Sequence, residues 1–403
     1  MREPAAKKTF TVTKRPVGGG DETQVGEYDT FADAIENCSQ IDLTNLYIIT
    51  VNKDYDIPEI EFCYAKTSSN ILIKSVEGKT CTIKRLGTRC VFETSTNCKI
   101  RIENIIFDGN SDGEFTFLFE NGELTLGQGT VVQNFIDVPS ADGPAIHMTS
   151  NSTLNIEDGV IIQNNKGASM GGIIGDNSNG TTININGGTF INNSCTKWGG
   201  VIGSYGKVNI NGGKFTGNQA GLLGGVIYSN GVLTINGGTF EKNSVPGNKG
   251  FGGVLATGTK AKLNVSGGTF KDNSAMYGSV IYTNATERAE IKKAVIENNA
   301  SGFGAIYFNT GSANVENVTF NNNLAFKRGS AIYNRGAIVT VNQSIFKDNG
   351  EMTDEDVTFT CVHGGAIAVQ KINDPNDKTK LIIKGSTFEG NKAEKDGRCY
   401  LYR

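Results

Sequence analysis

The sequence has little proline, little histidine and no excess of charge of either sign. Its 403 residues include 7 prolines and 2 histidines, and 38 basic against 41 acidic residues give a net charge of −3. This balance provides no basic stripe for nucleic acid and no polybasic segment for a membrane surface. No apolar run reaches the 18 or so residues of a transmembrane helix. We therefore expect neither nucleic-acid binding nor direct membrane insertion.

The cysteines do not form any familiar metal-binding pattern. None of the eight belongs to a C-x-x-C pair, which argues against a zinc site, and no motif for another metal or cofactor is present. Two interpretations of the cysteines remain, namely buried thiols that fill the interior and disulfides of an extracellular protein. The first eight residues are polar and lack the apolar run of a signal peptide. This leaves open both an excised ectodomain and a chain that never enters the secretory route.

What the sequence has instead is a repeat of about two dozen residues. Its signature is an aromatic or aliphatic residue followed three positions later by Asn. The aromatic position is occupied by Phe107, Phe190, Phe215, Phe240, Phe270, Phe320, Phe346 and Phe388, and by Val131, Ile161 and Ile296 in three weaker copies. The predicted Asn column is Asn110, Asn134, Asn164, Asn193, Asn218, Asn243, Asn273, Asn299, Asn323, Asn349 and Asn391.

The residues upstream of each signature predict a strand. Apolar residues lie five and seven positions before the aromatic position, with mostly polar residues between them, as in Val208-Asn209-Ile210. This period of two indicates a strand with one buried face. A second strand follows recurring Gly-Gly pairs, as in Gly224-Gly225-Val226-Ile227. Together these features predict an all-β, right-handed parallel β-helix of about 11–13 coils, in which Phe and Asn form stacked columns.

The regular repeat divides the chain into three parts. Residues 1–25 are predicted to be a flexible lead-in. Residues 26–99 are predicted to be an N-terminal cap with irregular first coils. The cap includes a short helix from Thr30 to about Cys38, since Phe31, Ala34, Ile35 and Cys38 share one helical face. Residues 100–403 are predicted to be regular coils with an inserted loop at about 350–380. We interpret its acidic residues as solvated, with a calcium or partner site as the alternative.

The alternation of Gly-Gly-x-(Ile/Val/Leu) with Phe-x-x-Asn resembles the passenger domains of chlamydial polymorphic outer-membrane proteins and related surface proteins. The resemblance covers roughly residues 100–395. It implies a cell-surface adhesin or autotransporter-type β-helix. The wider right-handed β-helix class also includes pectate-lyase-like enzymes, which need clustered carboxylates, or basic residues beside calcium, on one strand face.

No catalytic constellation is apparent in the sequence. The repeat places Asp272 and Asp348 three coils apart, which is too far for a pair of glycosidase carboxylates. His147 and His363 lie many coils apart and cannot cooperate. One outward row remains, formed by Tyr228, Tyr282, Tyr307 and Tyr333 after the Gly-Gly strand. It is either ordinary packing or an aromatic platform for a glycan or protein partner.

These patterns favour a non-catalytic β-helix at the cell surface or outside the cell, acting as an adhesin or as a structural rod. The first alternative is an intracellular, cytoplasmic structural or assembly component. The second is a polysaccharide lyase or hydrolase. The expected partner is a protein or a glycan. Because the chain ends just after a repeat, end-to-end or lateral protein contact at the C-terminal coil is also expected.

Overall fold

In the computed structural model, the repeat winds into a right-handed parallel β-helix of about 11 turns. The structure describes residues 8–38, 42–66, 68–87, 91–94, 96–113, 117–137, 146–149, 151–176, 178–354, 357–371, 377–395 and 400–402. Three long sheets, here named A, B and C, run along this rod, and each coil contributes to all three in its regular part. The predicted fold class is therefore confirmed.

Sheet A carries the alternating strand that precedes the Phe signature. Its strands, in spatial order, are Thr23–Tyr28, Phe10–Pro16, Asp42–Val51, Ser69–Ser75, Lys99–Glu103, Glu123–Leu126, Thr153–Ile156, Thr182–Ile185, Lys207–Ile210, Val232–Ile235, Lys262–Val265, Arg288–Lys292, Ser312–Glu316, Ile338–Asn342 and Lys380–Lys384.

Sheet B carries the Phe signature and bends where that signature ends. Its strands, in chain order, are Tyr55–Ile57, Cys81–Arg85, Ile105–Gly113, Val131–Asp137, Ile161–Gln163, Lys166–Gly167, Thr189–Ile191, Ser194–Cys195, Lys214–Thr216, Gln219–Ala220, Thr239–Glu241, Ser244–Val245, Thr269–Lys271, Ser274–Tyr277, Val295–Glu297, Ala300–Phe303, Thr319–Asn321, Leu324–Arg328, Ile345–Lys347 and Thr387–Glu389.

Sheet C follows the Gly-Gly corner. Its strands are Tyr64–Ala65, Phe92–Thr94, Phe117–Glu120, Ile146–Thr149, Ile174–Asp176, Ile202–Ser204, Ile227–Ser229, Leu255–Thr257, Ile281–Thr283, Ile306–Phe308, Ile332–Asn334, Ile367–Val369 and Tyr400–Tyr402. The insertion that precedes the last of the regular coils contains a separate antiparallel hairpin of Glu351–Asp354 and Val357–Thr360. Two other parts of the predicted inserted loop, residues 355–356 and 372–376, lie outside the described residues.

The interior of the rod is filled by stacked apolar side chains, which form one continuous core. Phe190, Phe215, Phe240 and Phe270 stack with ring centroids 4.5, 4.7 and 4.9 Å apart and nearly parallel planes. These separations match the roughly 4.8 Å spacing of neighbouring strands. Ile296 takes the next place in the column, and Phe320 and Phe346 continue it.

A buried column of asparagine amides lies beside the phenylalanines. The Asn243 Nδ2 group donates to Asn273 Oδ1 (3.1 Å) and to the Phe215 carbonyl oxygen (3.0 Å). Its Oδ1 atom accepts from the backbone N–H and the Nδ2 of Asn218 (2.9 and 3.0 Å). The Asn243 amide is therefore fully satisfied. The column consists of Asn165, Asn193, Asn218, Asn243, Asn273, Asn299, Asn323, Asn349 and Asn391.

The predicted Asn column is wrong at its first three members, Asn110, Asn134 and Asn164. Val132 and Ile162, not Val131 and Ile161, are in register with Phe107 and Phe190. The three asparagines instead occupy turns with positive φ, at 50°, 59° and 56°. The physical reason is local. The corners before Val132 and Ile162 hold one more residue than the later corners, which shifts the register there by one. After Phe107, a register shift between Asp108 and Ser111 adds one residue to the bend and displaces Asn110.

The N-terminal end of the rod is covered by the helix Phe31–Cys38. The Thr30 hydroxyl accepts a hydrogen bond from the Asp33 backbone N–H (3.1 Å), which caps the helix as predicted. The four residues predicted to face the core are buried, and the Phe31 ring lies 5.4 Å from that of Phe10. The short helix of the predicted fold class is therefore present. Within the described ranges, no helix is both long enough and apolar enough to cross a bilayer.

The flexible lead-in predicted for residues 1–25 requires correction. Phe10–Pro16 pairs antiparallel with both Thr23–Tyr28 and Asp42–Val51, and Phe10 and Val12 are fully buried. These strands extend sheet A beyond the first coil, because the apolar residues of Phe10-Thr11-Val12 meet the helix and close the core. Residues 1–7 lie outside the described ranges.

The cysteines that the structure describes are buried, in agreement with the first of the two interpretations offered above. Cys38, Cys81 and Cys361 carry free thiols. Burial raises the pKa of the Cys38 and Cys361 thiols, because it penalises the thiolate. The Cys98 and Cys195 Sγ atoms donate to backbone carbonyls of the neighbouring coil, those of Lys66 (3.0 Å) and Ser169 (3.2 Å). Cys90 and Cys399 lie outside the described residues.

The Asn column yields a stability prediction. We expect Asn243→Ala to lower the free energy of unfolding by about 3 kcal/mol, because it leaves buried donors and acceptors of two neighbouring coils unsatisfied. The matched control is Asn211→Ala, which removes an exposed amide of the same coil type that bonds to Asn186 and Asn236. It should cost less than about 1 kcal/mol. Denaturant unfolding followed by Trp198 fluorescence measures both. Equal losses would contradict the proposed role of the ladder.

Candidate binding groove

From Gly171 onwards, the described coils turn from sheet B into sheet C at a glycine with positive φ. At Gly199, Gly224 and Gly252 the φ angles are 69°, 65° and 69°. A Cβ atom on Gly199 would lie 2.0 Å from the Ile202 carbonyl oxygen, so no other residue fits this corner without moving backbone. The corner recurs in every coil from Gly171 onwards that the structure describes in full. The side chain just before it is therefore repeated at the same place on the outer surface.

The residues that precede these glycines form what we call the pre-glycine column. Backbone pairing places them in successive coils, and all are partly exposed. The first six are large and mostly apolar, and the last two are an arginine and a histidine. The members are Met170, Trp198, Leu223, Phe251, Tyr277, Phe303, Arg328 and His363.

A second column runs beside the first, along the middle of the sheet C strands. We call it the tyrosine column, and it contains the four tyrosines of the predicted row. Tyr282, Tyr307 and Tyr333 belong to successive coils, as expected. Tyr228 is separated from Tyr282 by Ala256. Ala368 follows Tyr333.

The tyrosines do not stand free as a flat platform. Tyr307 and Tyr333 are only 4% and 3% exposed, because side chains of the pre-glycine column pack over them. The Tyr277 ring meets Tyr307 edge-on with centroids 5.6 Å apart, and Phe303 lies 5.1 Å from Tyr333. The row is thus the floor of a groove whose wall is the other column.

The aromatic contacts continue towards the N-terminal end. Phe251 contacts Tyr282 at 4.8 Å, and Trp198 contacts Tyr228 at 5.4 Å between ring centroids. Sequence reasoning missed the wall, Trp198, Phe251, Tyr277 and Phe303. The signal was available, since each of these residues immediately precedes a corner glycine of the repeat.

The groove contains two cavities that follow one another along the rod. The larger, of about 540 Å³, is lined by the aromatic rings of Tyr277, Phe303, Tyr307 and Tyr333 and by basic side chains. The smaller, of about 290 Å³, is lined by Tyr228, Phe251 and Tyr282, together with polar groups. Ring contacts join the two, since Phe251 lies 4.8 Å from Tyr277 and Tyr282 lies 5.4 Å from Tyr307.

A polar column borders the tyrosines on the side away from the wall. It lies two residues after each tyrosine and after Ala368, and consists of Asn230, Asn284, Asn309, Arg335 and Gln370. The Asn309 amide donates to Asn284 Oδ1 at 2.8 Å. Asn230 and Asn284 line the smaller cavity, and Arg335 and Gln370 line the larger. The groove therefore offers aromatic faces with hydrogen-bonding groups along one edge.

The larger cavity is basic. Lys327, Arg328 and Arg335 line it. The Lys327 ammonium lies 5.3 Å from the centre of the Phe303 ring, and Arg328 Nη1 donates to Gln370 Oε1 at 3.1 Å. The Tyr333 hydroxyl donates to the same Gln370 oxygen. His363, which the sequence analysis left without a role, also lines this cavity.

The floor tyrosines stay protonated well above neutral pH. Burial raises the pKa of Tyr228, Tyr282, Tyr307 and Tyr333, because it penalises the phenolate. The nearby arginines oppose this shift at Tyr307 and Tyr333 without reversing it. The phenols therefore act as neutral hydrogen-bonding groups, and the charge of the cavity comes from its cations.

The candidate catalytic residues stay apart. Asp272 and Asp348 occupy bends with φ of 55° and 52°, on coils separated by two others. Asp108 accepts hydrogen bonds from the Gln133 and Asn134 amides (2.9 and 3.1 Å). His147 lies on sheet C, where burial lowers its pKa. Among the described residues, no three His, Cys, Asp or Glu side chains are grouped as metal ligands.

Comparison with known proteins gives one match. The model of the Chlamydia polymorphic membrane protein repeat matches residues 317–335. This stretch is a single coil, and it runs from just before Phe320 and Asn323 through Arg328 to Tyr333 and Arg335. No curated protein and no solved structure matches the chain. The coil geometry makes the chain a right-handed parallel β-helix repeat protein, and one of its coils is similar to the polymorphic-membrane-protein repeat.

Proposed function

We propose that this chain is a non-catalytic, surface-displayed β-helix that mediates adhesion through the groove on sheet C. The observation that carries the proposal is the pairing of the pre-glycine column with the tyrosine column. Eight aromatic side chains of these columns, from Trp198 to Tyr333, form a strip that is interrupted at Leu223 and Ala256, on a rod whose other faces are mostly polar. Such a strip, bordered by hydrogen-bonding groups, is typical of a binding surface.

Rigidity supports a role in binding. The floor and wall of the groove rise from strands that are held in register by the Asn and Phe columns beneath them. A partner therefore meets aromatic rings whose positions are fixed in advance, and little side-chain entropy is lost on binding. Adjacent coils repeat the same contact along the rod, so an extended glycan or protein segment engages several of them at once.

The matched repeat supports display at the cell surface. It is named for membrane proteins of Chlamydia, and the coil that it covers contributes Arg328, Tyr333 and Arg335 to the groove. A long rod suits this location, because it holds a binding face away from the surface to which the chain is attached.

One observation favours an intracellular structural role as the second candidate. Cys38, Cys81 and Cys361 carry free, buried thiols. Proteins of reducing compartments keep such thiols, whereas small extracellular domains more often pair theirs. The coil interior offers a different explanation, because a thiol there acts as a small apolar side chain.

The groove gives a prediction about adhesion. We expect the double substitution Phe251→Ala and Phe303→Ala to weaken attachment of protein-coated beads to mucin and to epithelial cells at least about tenfold, since it removes the wall of the groove. The matched control replaces Phe62 and Tyr64 with Ala. These rings are also stacked and are 44% and 40% exposed, but they lie at the other end of the rod. Equal attachment by both variants and the parent protein would refute adhesion through the groove.

Display gives a second prediction. Antibodies against the folded rod should label intact, unpermeabilised cells of the source organism, and protease added outside should remove the labelling. An antibody against a cytoplasmic protein is the control for leakage. Labelling that requires permeabilisation would instead support the intracellular structural role.

A further inference from the structure

Three cations of the larger cavity have no carboxylate partner among the described residues. Lys327, Arg328 and Arg335 line the cavity, and neither aspartate nor glutamate is part of its described lining. The contacts recorded for them are with Gln370, with the tyrosine hydroxyls and with the Phe303 ring. Arg328 is partly buried and Lys327 and Arg335 are exposed, and no carboxylate of the described residues compensates their positive charge.

Two cations on sheet A are paired with carboxylates of other coils. Arg101 binds Glu103 and Glu157, with the latter two coils away. Lys292 lies between Glu290 and Glu316. At the cavity, aromatic rings and the Gln370 amide surround the cations in place of carboxylates. Unpaired guanidinium groups in a concave aromatic site are what binding of an oxyanion requires.

We infer that this cavity binds the carboxylate of an acidic sugar residue, so that the groove recognises glycans that contain uronic or sialic acids. The inference rests on the proposed function, because it names the ligand of the same groove. Arg328 and Arg335 bind the carboxylate, and the Phe303, Tyr307 and Tyr333 rings contact the apolar face of the sugar.

The surroundings of the cations favour a sugar over an acidic peptide. A sugar ring presents a face of C–H groups and an edge of hydroxyls. The groove presents aromatic faces on one side and the amides of Asn284, Asn309 and Gln370 on the other. The tyrosine phenols, kept neutral by burial, add further hydroxyl partners. An acidic peptide needs the cations but gains less from an aromatic floor.

Ligand pairs that differ only in charge test the inference. The probes are a galacturonic acid trimer and sialyllactose, each compared with its methyl ester, together with lactose, sulfated lactose and a glutamate-rich peptide. Calorimetry on the full chain should give at least about tenfold tighter binding of the acid than of the ester for one of the two pairs. Salt should weaken binding of the acid more than binding of the ester.

Variants assign the effect to the cavity. In the double variant Arg328→Gln and Arg335→Gln, acid and ester should bind equally. The matched control is Arg288→Gln, which lies on sheet A and pairs with Glu290; it should keep the preference for the acid. Phe303→Leu should weaken binding of acid and ester alike. Circular dichroism and the unfolding midpoint report whether each variant is folded.

Several results would overturn the inference. These are equal binding of acid and ester by the parent protein in both pairs, a preference that survives the double arginine substitution, or equal or tighter binding of the glutamate-rich peptide or the sulfated lactose. In each case adhesion that still depends on Phe251 and Phe303 would leave the proposed function standing. If adhesion did not depend on Phe251 and Phe303, that separate result would contradict the proposed function itself.

Discussion

The buried asparagine ladder is the interaction on which the rest of this rod depends. Where each coil bends within sheet B, backbone groups turn inward with no strand partner, and burying them unpaired would cost about 1–3 kcal/mol each. The Asn side chain bonds the carbonyl of one coil and the amide of the next, as Asn243 does with Phe215 and Asn273. Because its partner is the same residue one coil on, the ladder also keeps successive coils in register.

This register decides what is left for function. The Phe column and the Asn column occupy the interior, and the corner glycines are held by contact with backbone. Side chains that vary without disturbing the stack are those that point outward. Two such positions, the one before the corner glycine and the middle of the sheet C strand, come side by side because the corner is tight. The groove therefore arises from the same geometry that closes each coil.

The sequence predicts well whatever repeats strictly. Asn193 to Asn391 lie in the buried column because one spacing from the aromatic position holds throughout that range. The prediction fails at Asn164. One extra residue in the preceding corner shifts the register, so that the next residue, Asn165, takes the place in the column. The sequence also fails to predict that Tyr307 and Tyr333 are buried, because the rings that cover them come from other coils. The capping strand at Phe10 lies outside the repeat altogether.

Stacking also determines what surrounds the cations of the groove, all of which belong to one coil. Parallel coils bring equivalent positions to within about 5 Å, so like charges in adjacent coils repel by roughly 1 kcal/mol in water and by more where solvent is excluded. On sheet A this repulsion is relieved, since Glu290 and Glu316 share Lys292. At Lys327, Arg328 and Arg335 the fold offers rings and amides in place of carboxylates. An anionic ligand supplies the compensation that the chain does not.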